Sequence, residues 1–210
     1  MLRIRILGAR ALALAGVLLA GAASAAEVDK YLPDDSQFVL CVDVRQILDA
    51  KLTKTYALEK IKDGFKKSAE AERLFKGIGL DPLKDIHSIT VAGVQPGAEH
   101  KRLVIVRGSF DPAKIHTVAQ DFAKSHPDEL KLHKHEKVDV YEHMNKNAKE
   151  EPTFAAFLGK DLLVASKTKQ QVFDAIDKST GKTEATLPKD FKTLVSKIDG
   201  KQSVWLAALA

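Results

Sequence analysis

The sequence predicts an α+β fold, a mainly antiparallel sheet with helices packed on one face. Three observations carry this. Residues Arg102 to His126 read as one strand feeding one amphipathic helix, with both ends signalled. Short apolar runs recur along the chain between turn residues. The first elements follow the order β-α-β-β-α-β, that of a split, ferredoxin-like sandwich.

The strand-helix unit sets the frame. Leu103-Val104-Ile105-Val106 is a β-branched and aliphatic run, and Arg107-Gly108 closes it. Asp111 precedes Pro112, so a carboxylate can take free helix N–H groups, and Pro at the first helical position gives up nothing by lacking one. Ile115, Val118, Ala119 and Phe122 give one apolar face. Ser125-His126-Pro127 ends the helix, because a residue before Pro is pushed out of the helical region.

The other elements follow by the same signals. Phe38 to Val44 alternates as a strand. A broken helical region runs from Gln46 to Lys76 and ends at Gly77 and Gly79. Asp81-Pro82 opens a short turn, and Ser88 to Val94 is a second strand, antiparallel to Leu103–Val106. Leu130–His135 and Val138–His143 form a hairpin about Glu136-Lys137, and Met144 to Glu151 is a polar loop. Phe154–Leu158 and Leu162–Ala165 are two more strands. Thr168 and Gln171 have the spacing of a capping box, opening a helix on Val172, Phe173 and Ile176 that Gly181 ends. A helix after Pro188 carries Phe191, Leu194, Val195 and Ile198, and Val204–Leu209 is a last strand. That strand's apolar sequence points either to insertion between other strands or to a chain cut short. No exact internal repeat is visible.

Residues 1–25 read as a secretory signal peptide. Arg3, Arg5 and Arg10 precede an apolar stretch, and Ala23-Ser24-Ala25 supplies the small-x-small cleavage pattern. The stretch is about ten residues, short of the roughly 20 that a spanning helix needs. Residues 26–210 are then one exported domain, periplasmic or secreted, with no membrane span after cleavage. The leader removes three arginines and no acid, so the net charge falls from +5 to +2. A nucleic-acid partner is not expected from so small a surplus. Cys41 is the one cysteine; it forms no internal disulfide and reads as a buried small hydrophobe.

Tyr31-Leu32-Pro33-Asp34-Asp35, Phe38-Val39 and Val42-Asp43-Val44-Arg45-Gln46 stand behind that leader. Gly79 to Ile86 stands before Ser88-Ile89-Thr90-Val91-Ala92-Gly93, and Val104 to Gly108 before Phe110-Asp111. Together they resemble a set of uncharacterised exported proteins of planctomycete bacteria. The resemblance implies export and an α+β domain, and brings no activity and no catalytic residue. Such relatives continue past the equivalent of Trp205.

Candidate chemistry is sparse. His133 and His135 share one strand face, and His143 lies on the neighbouring strand. Three imidazoles suit zinc, copper or nickel with an open position. Against that, Lys131, Lys134 and Lys137 make the ribbon positive, and a solvated hairpin on the sheet rim is the competing reading. Asp43 and Arg107 are single charges in apolar strands and could pair if those strands are neighbours. The sequence contains no Gly-x-Ser-x-Gly, Ser-x-x-Lys or His-Glu-x-x-His motif, and Gly77-x-Gly79 lacks a third glycine. The expectation is a non-enzymatic binding or scaffolding domain of the cell envelope, its partner an envelope protein or polymer. The alternatives are a divalent-metal binder on His133, His135 and His143, and a hydrolase with an unrecognised site.

Overall fold

The computed structural model describes residue 26 and residues 29–67, 75–94, 101–144 and 151–209. The leader expected at 1–25 and most of the polar loop expected at 144–151 lie outside the described residues. The strands are β1 (Phe38–Asp43), β2 (Ile86–Gly93), β3 (Arg102–Gly108), β4 (Leu130–His135), β5 (Val138–His143), β6 (Thr153–Phe157), β7 (Leu162–Ser166) and β8 (Val204–Ala208). The helices are α1 (Val44–Asp49), α2 (Lys51–Tyr56), α3 (Leu58–Lys67), α4 (Pro82–Asp85), α5 (Pro112–Ser125), α6 (Lys169–Ser179) and α7 (Lys189–Val195). The fold is α+β, and every pairing in its eight-stranded sheet is antiparallel.

The strands lie in the order β4-β5-β6-β7-β3-β2-β1-β8. The element order β-α-β-β-α-β is present at the start of the chain, but the strands are not paired as in a ferredoxin-like sandwich. β4 does not return beside β1; it pairs with β5 at the far edge, and β8 takes the place beside β1. A repeat of connectivity results. The meander β1-β2-β3 sends its next strand to the other half of the sheet, and the meander β5-β6-β7 does the same in return. The two meanders meet at β3 and β7, where Leu103–Arg107 pairs with Leu162–Ser166. The same core pair recurs, with Val39 opposite Ala92 in one meander and Val140 opposite Ala156 in the other. All four residues are almost fully buried. What recurs is the connectivity and the alternation of side chains in and out, and neither requires a repeated run of letters.

Alternation also decides which face each helix covers. Val39, Ala92, Leu103, Ile105, Val140, Ala156 and Val164 point to one face, the core face. There they meet Val172, Ala175 and Ile176 of α6, Phe191 and Val195 of α7, and Leu32 of the N-terminal segment. Tyr141 and Phe157 point the other way. His116 of α5 bonds the Tyr141 hydroxyl, and the Phe110 ring packs on the edge of Phe157 at 5.4 Å. α5 therefore lies on the face opposite α6 and α7, and the helices form two layers where one was expected. The connection from β3 to β4 must pass β7, β6 and β5, and α6 already occupies the core face there.

The local signals act as their chemistry requires. Asp111 Oδ1 accepts the Lys114 N–H, Pro112 opens α5 and Ser125 closes it. Asp81 caps α4 through the Leu83 N–H. The hairpin turns at Glu136, whose φ of 53° is the left-handed conformation a two-residue turn demands. The capping box at Thr168 does not form. Gln171 Oε1 accepts the Ser166 hydroxyl, and Ser166 Oγ accepts the Thr168 N–H. The buried serine at the end of β7 reaches the helix start first.

Candidate functional site

Where α6 does not reach, the core face of β1, β2, β3 and β8 is roofed by residues 29–32 and the end of α7. Between floor and roof lies a cleft of about 500 Å³. The strand register orders its chemistry. Trp205, Cys41 and Thr90 lie side by side on β8, β1 and β2 and form the floor. Two residues along, Asp43, Ser88 and Arg107 form a polar row at the sheet end. Val39, Leu32 and Val195 close the inner wall. The cleft thus grades from apolar to polar along the strands.

Asp29 anchors the polar end. Its Oδ2 accepts from Arg107 Nη2 at 2.8 Å and its Oδ1 accepts the Tyr31 N–H at 3.0 Å. The carboxylate is 11% exposed and the arginine side chain 45%. The Asp43–Arg107 pair that neighbouring strands would have allowed does not form, because β2 separates the two strands. Asp43 instead caps α1 by accepting the Gln46 N–H at 2.7 Å. Beside it, β2 bulges. Ile86 faces Gly108 and Ser88 faces Arg107, leaving His87 as the extra residue. His87 is turned towards Arg45 and Ser109.

Cys41 is half-buried and free. Burial pushes its thiol above the ordinary value; the hydrogen bond from Thr90 at 3.7 Å opposes this, and the charges of Asp43 and Asp29 reinforce it. A thiol pushed upward in this way has no histidine among the described residues that line the cleft to activate it as a nucleophile. Two other hydroxyl–imidazole contacts are equally unsuited to proton relay. Tyr141 and Asp139 both approach Nδ1 of His116, and Ser109 and Arg45 both approach Nε2 of His87. A relay needs one partner on each ring nitrogen. Burial, reinforced by Asp139, pushes the Tyr141 hydroxyl up to about 12.

The three histidines expected to converge do not. His133 and His135 point to the core face, with His133 on Glu142 and His135 Nε2 on Asp177 Oδ1 at 2.7 Å. His143 points to the opposite face and is exposed, because odd positions of β5 face away from Val138, Val140 and Glu142. A different set gathers at the turn, His135, Glu136 and Asp177, with potential ligand atoms within 4.8 Å of one another. Lys182 already supplies a cation there, at 2.7 Å from Glu136 and 3.7 Å from Asp177. Its ammonium holds the Glu136 carboxyl below the usual range. The His135 ring also stacks on Phe173 at 4.1 Å. His135→Ala should therefore cost about 1–2 kcal/mol in urea unfolding. His143→Ala should stay within about 0.5 kcal/mol and leave any zinc-dependent shift of the melt unchanged.

Sequence reasoning placed Cys41 and Arg107 on strands and did not bring them to one cleft. Asp29 gave no sign, since its partner lies 78 residues away. The one legible hint was an arginine at the end of an otherwise apolar strand.

No protein-family model matches the sequence, and no curated protein does. Among solved structures the chain is similar to TP0453, a treponemal protein, in its crystal forms III, IV and I. The TM-scores are 0.47, 0.45 and 0.47 at 14%, 15% and 14% identity. Each match covers 86% of this chain and 63%, 64% and 62% of the other, so the chain spans under two thirds of TP0453.

Proposed function

We propose that this is an exported, non-enzymatic binding domain of the cell envelope, with the cleft over Cys41 and Thr90 as its ligand site. The observation that carries the reading is the cleft itself, a half-apolar concavity whose few polar groups converge at one end, as small-molecule sites do. Burial pushes its thiol upward and its carboxylate is bound on both oxygens, which favours holding a molecule over transforming one. The basic leader, its apolar stretch and Ala23-Ser24-Ala25 support export. Ala26, the residue after that pattern, is buried and donates its N–H to the Ile198 carbonyl at 2.8 Å. Among the described residues no helix is long and apolar enough to cross a membrane.

Expression of the whole chain with a C-terminal tag in a Gram-negative host tests this. The expected product is periplasmic, with an intact mass that begins at Ala26. Full-length protein retained in the cytosol would overturn export.

A further inference from the structure

We propose that the cleft takes an amphipathic anion, a carboxylate head on an apolar tail, with Arg107 as the residue that selects the head. The inference rests on the cleft being the ligand site. Shape and polarity set the ligand's orientation. The apolar tail lies over Cys41 and Thr90, against Trp205 and Val39, and the head reaches the polar row.

The sign of the head follows from the charges that line the cleft and from the unused donors of Arg107. A guanidinium has five N–H donors. Among the described residues Asp29 takes one of those on Arg107. The lining carries two cations, Lys30 and Arg107, against one carboxylate, Asp29. Asp29 uses both oxygens, on Arg107 and on the Tyr31 N–H, and Asp43 accepts the Gln46 N–H as a helix cap. Ser88 lies directly opposite Arg107 and adds a hydroxyl at the same point. Asp29 also stiffens the arginine, so less freedom is lost when a second acceptor arrives. A carboxylate satisfies such a fork better than an alcohol, and an ammonium would face Lys30 and Arg107 with only the Asp29 carboxylate, already paired to Arg107, among the lining charges.

Trp205 is the chain's only tryptophan and lies on the cleft floor, so its fluorescence reads the site directly. The experiment titrates the purified full-length export product at pH 7.5 with decanoate, decanol and decylamine, each below its micelle concentration. Decanoate is expected to bind about ten- to a hundredfold tighter than decanol, the worth of a charge-assisted hydrogen bond. Decylamine should bind weakest. Each methylene removed from the tail should weaken binding about fourfold. Arg107→Gln should erase the preference for carboxylate over alcohol while decanol still binds, so loss of the fold is told apart from loss of selection. Equal affinity for decanoate and decanol, or tighter binding of decylamine, would overturn the anion and leave the cleft as a site. No change in Trp205 emission with any of the three would overturn both.

Discussion

Phe191→Ala is expected to cost about 3–5 kcal/mol, the usual result of emptying a fully buried aromatic site. Phe191 is 0% exposed and belongs to the same core cluster as Val195, Leu187 and Val39. The helix that carries it has seven residues and no side-chain N-cap bond. Such a helix has little stability of its own and is held by the face it buries. The ring, together with Val195, therefore fastens α7, and α7 supplies part of the roof of the cleft. Urea unfolding followed by Trp205 emission checks this. The alanine variant should lose most of the cooperative transition, and Phe191→Leu, which keeps most of the volume, should lose about 1–2 kcal/mol. An alanine variant within 1 kcal/mol of the parent would mean that α7 is held by something other than this ring.

Asp34→Ala is the second large effect, expected at about 2–3 kcal/mol because it leaves an ammonium without its counter-charge. Lys178 sits on α6 with a side chain 4% exposed. Its Nζ donates to the Leu32 carbonyl at 2.6 Å and to Asp34 Oδ1 at 2.8 Å. The carboxylate also accepts the Thr186 N–H at 3.0 Å, so one acid ties the N-terminal segment to α6 and to the loop before α7. Burial acts to raise the Asp34 carboxyl; the bonds from Lys178 and Thr186 outweigh it and hold the group below its ordinary value. The sign of the pH effect follows. A depressed folded-state pKa contributes stability in full above the unfolded value of about 3.9, and loses it as pH falls through the lower folded value. Asp34→Asn should therefore flatten the acid limb of the stability curve below about pH 4. Parallel acid limbs in parent and variant would show that the pair contributes nothing there.

Both effects fall on contacts between segments far apart in the chain, and this marks the boundary of what residue order conveys. Strand and helix existence was legible because each element carries its own chemistry. Asp111-Pro112 caps α5, Gly79 and Gly181 end helical stretches at φ of 74° and 76°, and the hairpin turns at Glu136. Nearest-neighbour pairings were legible for the same reason, as with His133 opposite Val140 in the tight hairpin. These are interactions over a few residues, in which local geometry leaves few choices.

The partners of β4 and β8, the face that α5 covers, and the meeting of Asp29 with Arg107 were settled only by the assembled sheet. An apolar strand carries no mark of which edge it will join, since aliphatic contact is not directional. Once the two meanders meet at β3 and β7, the free edges belong to β1 and β5, and each receives the strand that follows the other meander. That exchange places Trp205 beside Cys41 and so forms the cleft floor. The alternation that makes each strand legible also sends His143 away from His133 and His135, because a shift of one residue reverses the face. The sequence by itself determined which elements form and where they end, through capping, turn geometry and periodicity. Only the tertiary structure decided which of their side chains share a site, because packing in three dimensions selects among partners that look alike in sequence.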